Sequence, residues 1–412
     1  AIPAYRDTFF YWNVMRIEVV TLIFGLVLYP YVFLLARVVF EQRSGRLLEA
    51  ARLLGRGPWT LFFRVALPLA RPAAAAGVAL VLMEVLNDYG AVAYYGVTTF
   101  TTGIFRAWFT LGDLDTAVRL SAILMLVVLL VLGLERSQRG AARYDEGGAA
   151  RPVAPYALGR AAAAGAVAFC AVPFLFGFLV PVGQLALWSL RFLPEMASPA
   201  FLRLARNSFL LALAASALCV LIAVVLAYAA RLDRTPLTRT AGKLALLGYS
   251  IPGAVVAVGV LLAVMAFGQR FGGGWQMLVT GSAAALLFGY VVRFMAVGYL
   301  SVEAGLTRID ERLTAASRVL GASTVRTLFQ IELPLLRRAL LAASTLVFID
   351  VLKELPLTLI LRPFNFDTLA TRAFQLAMDE QVAQSAPAAL MVIVIASVVV
   401  AGAHRGFGRE AG

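Results

Sequence analysis

The sequence predicts an all-α, polytopic membrane protein, and three observations carry this prediction. Of the 412 residues, 61% are hydrophobic and only 14% are charged, and the mean hydropathy is +0.85. Apolar runs of about 20 residues recur along the chain, and each is long enough to cross a bilayer as a helix. The short loops between these runs hold most of the 36 basic residues. Topology therefore explains the net charge of +13, and nucleic acid is not an expected partner.

Nine apolar runs are candidate spans. In chain order they cover 14–40, 73–95, 116–134, 161–190, 206–230, 242–268, 281–302, 339–361 and 385–404. The alternate loops on one side hold 24 of the basic residues, and the loops on the opposite side hold 8. The side with 24 comprises 37–72, 135–160, 231–243, 303–338 and 405–412. Because cytoplasmic loops are rich in Lys and Arg, we predict that these five segments are cytoplasmic, including the C-terminus.

A linker is expected to divide the chain. Residues 136–160 are charged, rich in Gly, Ala and Pro, and lack any apolar period. They separate a first half, 1–135, from a second half, 161–412. The second half has six candidate spans and the first has three, so we expect about three N-terminal spans of the first half to be absent from this sequence.

A long internal repeat relates the two halves. An offset of 266 places residues 49–88 on residues 315–354 without a gap, and 15 of the 40 positions are identical. Six spans separate the copies, so both lie on one side of the membrane and the repeat is parallel. The same offset continues through four further matches: Phe100/Phe366, Thr102/Thr368, Arg106/Arg372 and Asp113/Asp379.

Each copy predicts a helix-turn-helix on the cytoplasmic surface. Gly55 and Gly321 follow a short helical pattern, and Gly favours the left-handed residue that ends a helix. Pro68 and Pro334 end the next helical stretch, where a turn or kink is permitted. A single copy is as well explained by an interfacial helix against lipid headgroups. Two matched copies on one side favour a docking site for a two-fold partner.

These loops resemble the cytoplasmic signature loop of binding-protein-dependent ABC importer permeases, in which Glu-Ala-Ala precedes Gly and a later Pro. The matching residues are Glu49, Ala50, Ala51, Gly55 and Pro68 in the first copy, and Ala315, Ala316, Gly321 and Pro334 in the second, which lacks the Glu. The resemblance implies a tandem parallel repeat of the type I ABC importer permease fold. It also implies two partners, an ABC ATPase dimer on the cytoplasmic face and a periplasmic substrate-binding protein, with membrane lipid around the chain.

Further segments resemble the ferric iron permease family, whose two halves are fused in one chain. They are residues 1–5, 28–32, 88–90, 99–106, 353–356 and 361–370. The resemblance implies that the chain carries ferric iron across the bacterial inner membrane by alternating access. Thiamine, sulfate, polyamine and phosphonate permeases share this framework and remain alternatives.

The sequence has no Walker A loop for ATP. Lys243 follows Gly242 but precedes Leu244 instead of Ser or Thr, and the other lysine is Lys353. We therefore expect ATP and Mg²⁺ on a separate subunit, and no cofactor or enzymatic activity in this chain. Two cysteines and one histidine cannot build a Cys/His metal cluster. A secondary ion transporter is the rival from another class, although matched docking loops argue against it.

Four carboxylates in the predicted spans have two interpretations. Glu84 and Asp350 occupy matched positions near the predicted bilayer midplane, and Asp88 and Glu354 follow four residues later on the same helical faces. In the structural interpretation, Lys353 neutralises Asp350 or Glu354, and Asp88 caps a helix break. In the functional interpretation, all four line a cation pathway, since ferric iron prefers oxygen ligands.

Arg106 and Arg372 are the candidate contacts for the substrate-binding protein. They lie in the external segments 96–115 and 362–384, where they face acidic patches of that partner in one interpretation. In the other, they extend to lipid headgroups.

Overall fold

The structure is a computed structural model that describes residues 14–43, 51, 53–139, 158–233, 235–271 and 282–408. These residues form helices and no strand, which confirms the all-α prediction. Eight of the described helices are long and apolar enough to cross a membrane. The chain forms two compact units, Ala1–Gly183 and Gln184–Gly412.

The described helices of the first unit are α1 (Ile17–Arg43), α2 (Pro58–Asn87), α3 (Gly90–Tyr94), α4 (Phe100–Phe105, continued by a π turn over Arg106–Thr110), α5 (Leu114–Arg139) and α6 (Arg160–Arg191). Helix α1 packs along α2, and α5 packs against α2 and α4. Gly77 of α2 lets α1 and α2 approach closely, because a Cβ at this position would lie 2.7 Å from Cα of Val32.

The unit boundary lies within α6, not in the predicted linker. The N-terminal part of α6 packs against α1, and a Cβ at Gly177 would lie 2.3 Å from the carbonyl oxygen of Leu26. This close contact places residues 160–183 with the first unit. The boundary describes spatial grouping, and the division into permease halves at 136–160 stays a prediction.

The helices of the second unit are α7 (Leu193–Met196), α8 (Pro199–Leu232), α9 (Pro236–Leu247), α10 (Gly253–Phe271), α11 (Ala283–Leu306), α12 (Glu311–Val319), α13 (residues 324–352), α14 (Pro356–Leu361), α15 (Leu369–Met378) and α16 (Val382–Gly408). Three long helices, α8, α11 and α13, lie at the centre of this unit and pack against one another. Their buried contact includes Ala223 and Ala227 of α8, Val302 of α11 and Ala343 of α13.

Two helices run through the prolines at which the sequence predicted an end. Pro68 and Pro334 each lie two residues after a π turn, over Phe62–Ala66 and Leu328–Glu332, inside one continuous helix. A proline lacks an N–H and its ring clashes with the carbonyl four residues earlier. That carbonyl lies in the π turn, where the wider ring makes room for it. The predicted end of the helical stretch at Pro68 and Pro334 is therefore wrong.

Two predicted spans are interrupted. In place of 73–95, α2 ends at Asn87 and α3 begins at Gly90; in place of 339–361, α13 ends at Leu352 and α14 begins at Pro356. Apolar residues flank both breaks, so hydropathy averaged over a window does not reveal the short polar segments at Asp88 and Glu354. Glu84 and Asp350 therefore lie in the last turn of their helices, and their place near the bilayer midplane stays a prediction.

The repeat keeps its offset of 266 through both breaks and then changes register. The short helices α3 and α14 begin at matched positions, Gly90 and Pro356. The next helices begin with matched capping boxes at Thr99 and Thr368, an offset of 269. The second copy thus has three extra residues before this helix. The four predicted matches beyond the breaks are therefore not structurally equivalent: Phe100/Phe366, Thr102/Thr368, Arg106/Arg372 and Asp113/Asp379.

Candidate functional site

The two predicted helix-ending glycines adopt the left-handed conformation. Gly55 has a φ of +71° and Gly321 a φ of +84°. In both copies the residue after the glycine donates its N–H to the same relative carbonyl, from Arg56 to Ala51 at 3.3 Å and from Ala322 to Ser317 at 3.1 Å. This six-to-one hydrogen bond is the Schellman motif. The predicted turn is confirmed, whereas Glu49 and Ala50 lie outside the described residues.

An exposed apolar surface surrounds each turn, and sequence reasoning missed it. Four side chains at matched positions are more than half exposed in each copy. Large exposed apolar patches mark interaction sites. The repeat itself held the signal, since the side chains keep one spacing. We call the two groups the docking surfaces: Leu53, Leu54, Trp59 and Phe63 in the first, and Val319, Leu320, Val325 and Phe329 in the second.

Behind the second docking surface the core is polar. The hydroxyls of Ser317 and Thr327 share a buried hydrogen bond of 2.9 Å, and the Thr314 hydroxyl donates to Oε1 of Glu332 at 2.7 Å. Glu332 is fully buried, and the guanidinium of Arg231 lies 3.9 Å from its Oε1. These bonds hold α12 against α13. The remaining signature residues, Ala315, Ala316 and Pro334, are exposed, as is Pro68.

In the first copy the equivalent core is apolar. Leu61 and Ala66 occupy the positions of Thr327 and Glu332, and they are 3% and 6% exposed. Ala51, at the position of Ser317, is half-buried. The two loops thus share a backbone and an exposed surface while differing in the chemistry beneath it.

Asp88 and Glu354 cap the short helices that follow the breaks. Oδ1 of Asp88 accepts the N–H groups of Ala91 and Val92 at 3.0 and 3.1 Å. Oε1 of Glu354 accepts the N–H of Leu357 at 2.9 Å. A carboxylate at a helix N-terminus satisfies free amides and the helix dipole. These contacts give both residues a structural role, and their place in a pathway stays a prediction.

Glu354 also forms a buried ion pair that sequence reasoning missed. Its Oε2 lies 3.5 Å from Nε of Arg293, and both residues are less than 10% exposed. Arg293 donates a further bond to the Ile251 carbonyl at 3.3 Å. Gly253 leaves the space for this pair, because a Cβ there would lie 2.6 Å from both charged groups. An arginine inside an apolar span was the available signal.

Nζ of Lys353 lies 3.4 Å from Oδ1 of Asp350. This ion pair confirms one of the two pairings predicted for Lys353. Both side chains are partly exposed, at 46% and 21%. Glu84 is half-buried in the first unit. The predicted approach of Glu84 and Asp350 across a repeat axis stays a prediction.

The two candidate arginines of the external segments are exposed. Arg106 lines a cavity of about 320 Å³ in the first unit, together with Tyr89, Thr102 and Phe109. Arg372 lies on α15. Because of the register change they occupy different positions of their helices, so they are not repeat-related contacts.

Among the described residues, no group of three or more His, Cys, Asp or Glu side chains is arranged to hold a metal ion. Of the four candidate carboxylates, Asp350 lies beside Lys353 and Glu354 lies beside Arg293.

The family assignment rests on comparison with known sequences. The model of the family described as "Binding-protein-dependent transport system inner membrane component" matches residues 8–138 and 220–405. The chain belongs to this family and is therefore a multi-pass membrane permease of a binding-protein-dependent ABC transport system.

Three similar proteins illustrate the range of the family. The chain is 26% identical over 410 residues to the "Fe(3+)-transport system permease protein FbpB 2" of Haemophilus influenzae, covering 97% of this chain and 79% of that protein. It is 44% identical over 72 residues to the "Spermidine/putrescine transport system permease protein PotB" of the same organism, covering 17% of this chain and 25% of that one. A crystal structure of a bacterial ABC transporter that imports alginate has a TM-score of 0.48, with 16% identity, 61% coverage of this chain and 96% coverage of that one.

Proposed function

We propose that this chain is the permease subunit of an ATP-driven importer that carries ferric iron across the inner membrane by alternating access. The observation that carries the proposal is the pair of matched docking surfaces. An ATPase dimer presents the same groove twice, and the chain presents the same apolar surface twice. ATP and Mg²⁺ belong to that separate subunit.

The docking surfaces expose several apolar side chains whose burial would stabilise a contact. Leu320 and Val319 are both 87% exposed, and Leu53 is 90% exposed. Full burial of one such side chain contributes about 1.5–3 kcal/mol, so a few of them per loop suffice for specific docking. The left-handed turn follows Val319 and Leu320 at the end of α12, and Leu53 in the first copy precedes the matching turn, so a partner can reach these side chains.

Similarity along nearly the whole chain supports ferric iron as the cargo, since the relative that covers 97% of it is named for Fe(3+) transport. A polyamine is the second candidate, because the similarity to PotB is stronger over a shorter segment. Glu84, Asp88, Asp350 and Glu354 are the proposed carboxylates of the pathway. Glu84, Asp88 and Asp350 are partly exposed, whereas Glu354 is buried.

The outer surface is proposed to receive a periplasmic substrate-binding protein through segments 96–115 and 362–384, with Arg106 and Arg372 as charged contacts. The C-terminus would then be cytoplasmic. The large excess of basic residues in the docking loops and the tail supports this orientation.

The test is transport by the purified chain in proteoliposomes with its ATPase and binding protein. ATP-dependent uptake of ⁵⁵Fe(III), and not of labelled spermidine, is the expected result. Leu320→Asp should abolish ATPase association, whereas Phe364→Asp should not, although Phe364 is 96% exposed. ATP-dependent uptake of spermidine alone would assign the polyamine. Uptake driven by an ion gradient without ATP would refute the importer.

A further inference from the structure

Helix α8 connects the second docking loop to the outer segment of its own unit. Two side chains in its last turns bind the loop, and one side chain near its start binds α15. The two attachment points, Ser208 and Tyr228, are 20 residues apart along α8, which corresponds to about 30 Å, the thickness of the hydrocarbon core.

At the inner end, α8 holds both ends of the docking loop. The Tyr228 hydroxyl donates to the carbonyl of Thr324, which follows α12, at 3.1 Å. The Arg231 guanidinium donates to the carbonyls of Leu306 and Ile309, which precede α12, the second at 2.9 Å. Because Tyr228 and Arg231 are three residues apart, one turn of α8 fixes α12 from both sides.

At the outer end, α8 holds the start of α15. The N–H of Leu369, the first residue of that helix, donates to Oγ of Ser208 at 2.7 Å. Leu369 is fully buried and packs with Phe201 of α8 and Ala388 of α16. A displaced α8 would therefore move the start of α15 with it.

The sequence of α8 makes it stiff. It has 34 residues, and after Pro199 at its start it contains no Gly, no Pro and no π turn. Each of the other helices that qualify as spans in the described chain contains at least one Gly or Pro in its interior. Helices bend mainly at such positions. Small buried residues also seat α8 closely, with Cβ of Ala223 only 3.6 Å from the Cβ that Gly298 lacks.

We infer that α8 is the rigid element that transmits movement of the second docking loop to the external segment around α15, with Tyr228 and Ser208 as positioning residues at its two ends. This inference rests on the proposed function for the partner at the docking loop. Alternating access requires coupling between the two faces of the membrane, and the hydrogen bonds of Tyr228 and Ser208 would provide this coupling.

The experiment measures transmission directly. A fluorophore on Phe364→Cys, in a Cys170→Ser background, reports on the external loop of the chain assembled with its ATPase. ATP should change its signal in the parent. Tyr228→Phe removes the bond to Thr324, and Ser208→Ala removes the bond from Leu369 together with an intrahelical bond to Leu204. Each variant should reduce this change about fivefold. ATPase association should stay at the parental value, and the melting temperature should fall by only a few degrees.

The controls remove hydroxyls that do not link elements. Ser216→Ala loses a bond only to Leu213 within α8, and Tyr299→Phe loses one only to Glu303 within α11. Both should respond to ATP like the parent, and Ser208→Thr should restore the response. The two hydrogen bonds act in series along α8. The double variant should therefore lose no more of the ATP-induced signal change than the single variant with the larger loss, although the effects of distant substitutions normally add.

An undiminished response in both single variants, or independent losses that multiply in the double variant, would overturn the inference. ATPase association is measured separately on the parent chain. Its absence there would instead overturn the proposed function, and the inference with it.

Discussion

The buried pair of Arg293 and Glu354 allows a quantitative prediction about stability. At 3.5 Å and an effective dielectric constant of about 20, the attraction between the two charges is about 5 kcal/mol. Replacing one partner of a buried pair costs about 3–5 kcal/mol, because the other charge is left in a low-dielectric site. Glu354→Gln should therefore strongly destabilise the second unit, although the amide oxygen can still accept the N–H of Leu357.

Asp88→Asn is the matched control in the first copy. Asp88 occupies the equivalent position and caps α3 through the amides of Ala91 and Val92. Asparagine remains a good N-cap, so this change should cost at most about 1 kcal/mol. The comparison separates the loss of the buried ion pair from the loss of a capping carboxylate.

The assay is thermal unfolding of the purified chain in detergent, followed by the fraction that stays monodisperse. Arg293→Met should destabilise as strongly as Glu354→Gln, and the double variant should be more stable than either, because no buried charge remains. The coupling in this cycle should be at least about 2 kcal/mol. Strictly additive losses, or equal losses in Glu354→Gln and Asp88→Asn, would refute the reasoning.

Three further predictions concern function. Gly55→Val and Gly321→Val should each cost about 1–2 kcal/mol at a left-handed residue and reduce co-purification of the ATPase, and unchanged co-purification would contradict docking through these turns. Arg106→Glu combined with Arg372→Glu should lower ATP hydrolysis stimulated by the binding protein more than basal hydrolysis, with a weaker effect at high salt; an equal fall in both would make the arginines lipid anchors. Asp350→Asn should leave the melting temperature nearly unchanged, because the pair with Lys353 is partly exposed, while uptake of the trivalent cation falls; intact uptake would remove Asp350 from the pathway.

Local sequence features predicted the left-handed turns at Gly55 and Gly321 correctly because the cause of these turns is local. A Cβ at Gly55 or Gly321 would meet no other atom within 4 Å, so the backbone conformation alone selects glycine there. The structural interpretation of the four carboxylates correctly predicted that Asp88 caps a helix break, whereas the hydropathy pattern did not show this break. Hydropathy averages over a window, and the apolar residues on both sides of each break hide it.

Tertiary features were out of reach for the opposite reason. Arg293 and Glu354 are 61 residues apart, and nothing in either segment indicates the other. The three-residue insertion before Thr368 was missed because single matches such as Arg106/Arg372 persist by chance in an ungapped comparison. A capping box is a better marker of register than an identical residue, since it fixes where a helix begins.

The two docking loops show which features the duplication has kept. The exposed side chains stay large and apolar at matched positions, whereas beneath them Leu61 and Ala66 are replaced by Thr327 and Glu332. A buried core can change from apolar to polar where the new polar groups find partners, as Thr327 does with Ser317 and Oε1 of Glu332 does with Thr314. Packing within each copy places little constraint on side chains that are more than half exposed. Their preservation in both copies therefore points to a constraint from outside the chain, as the proposed two-fold partner would impose.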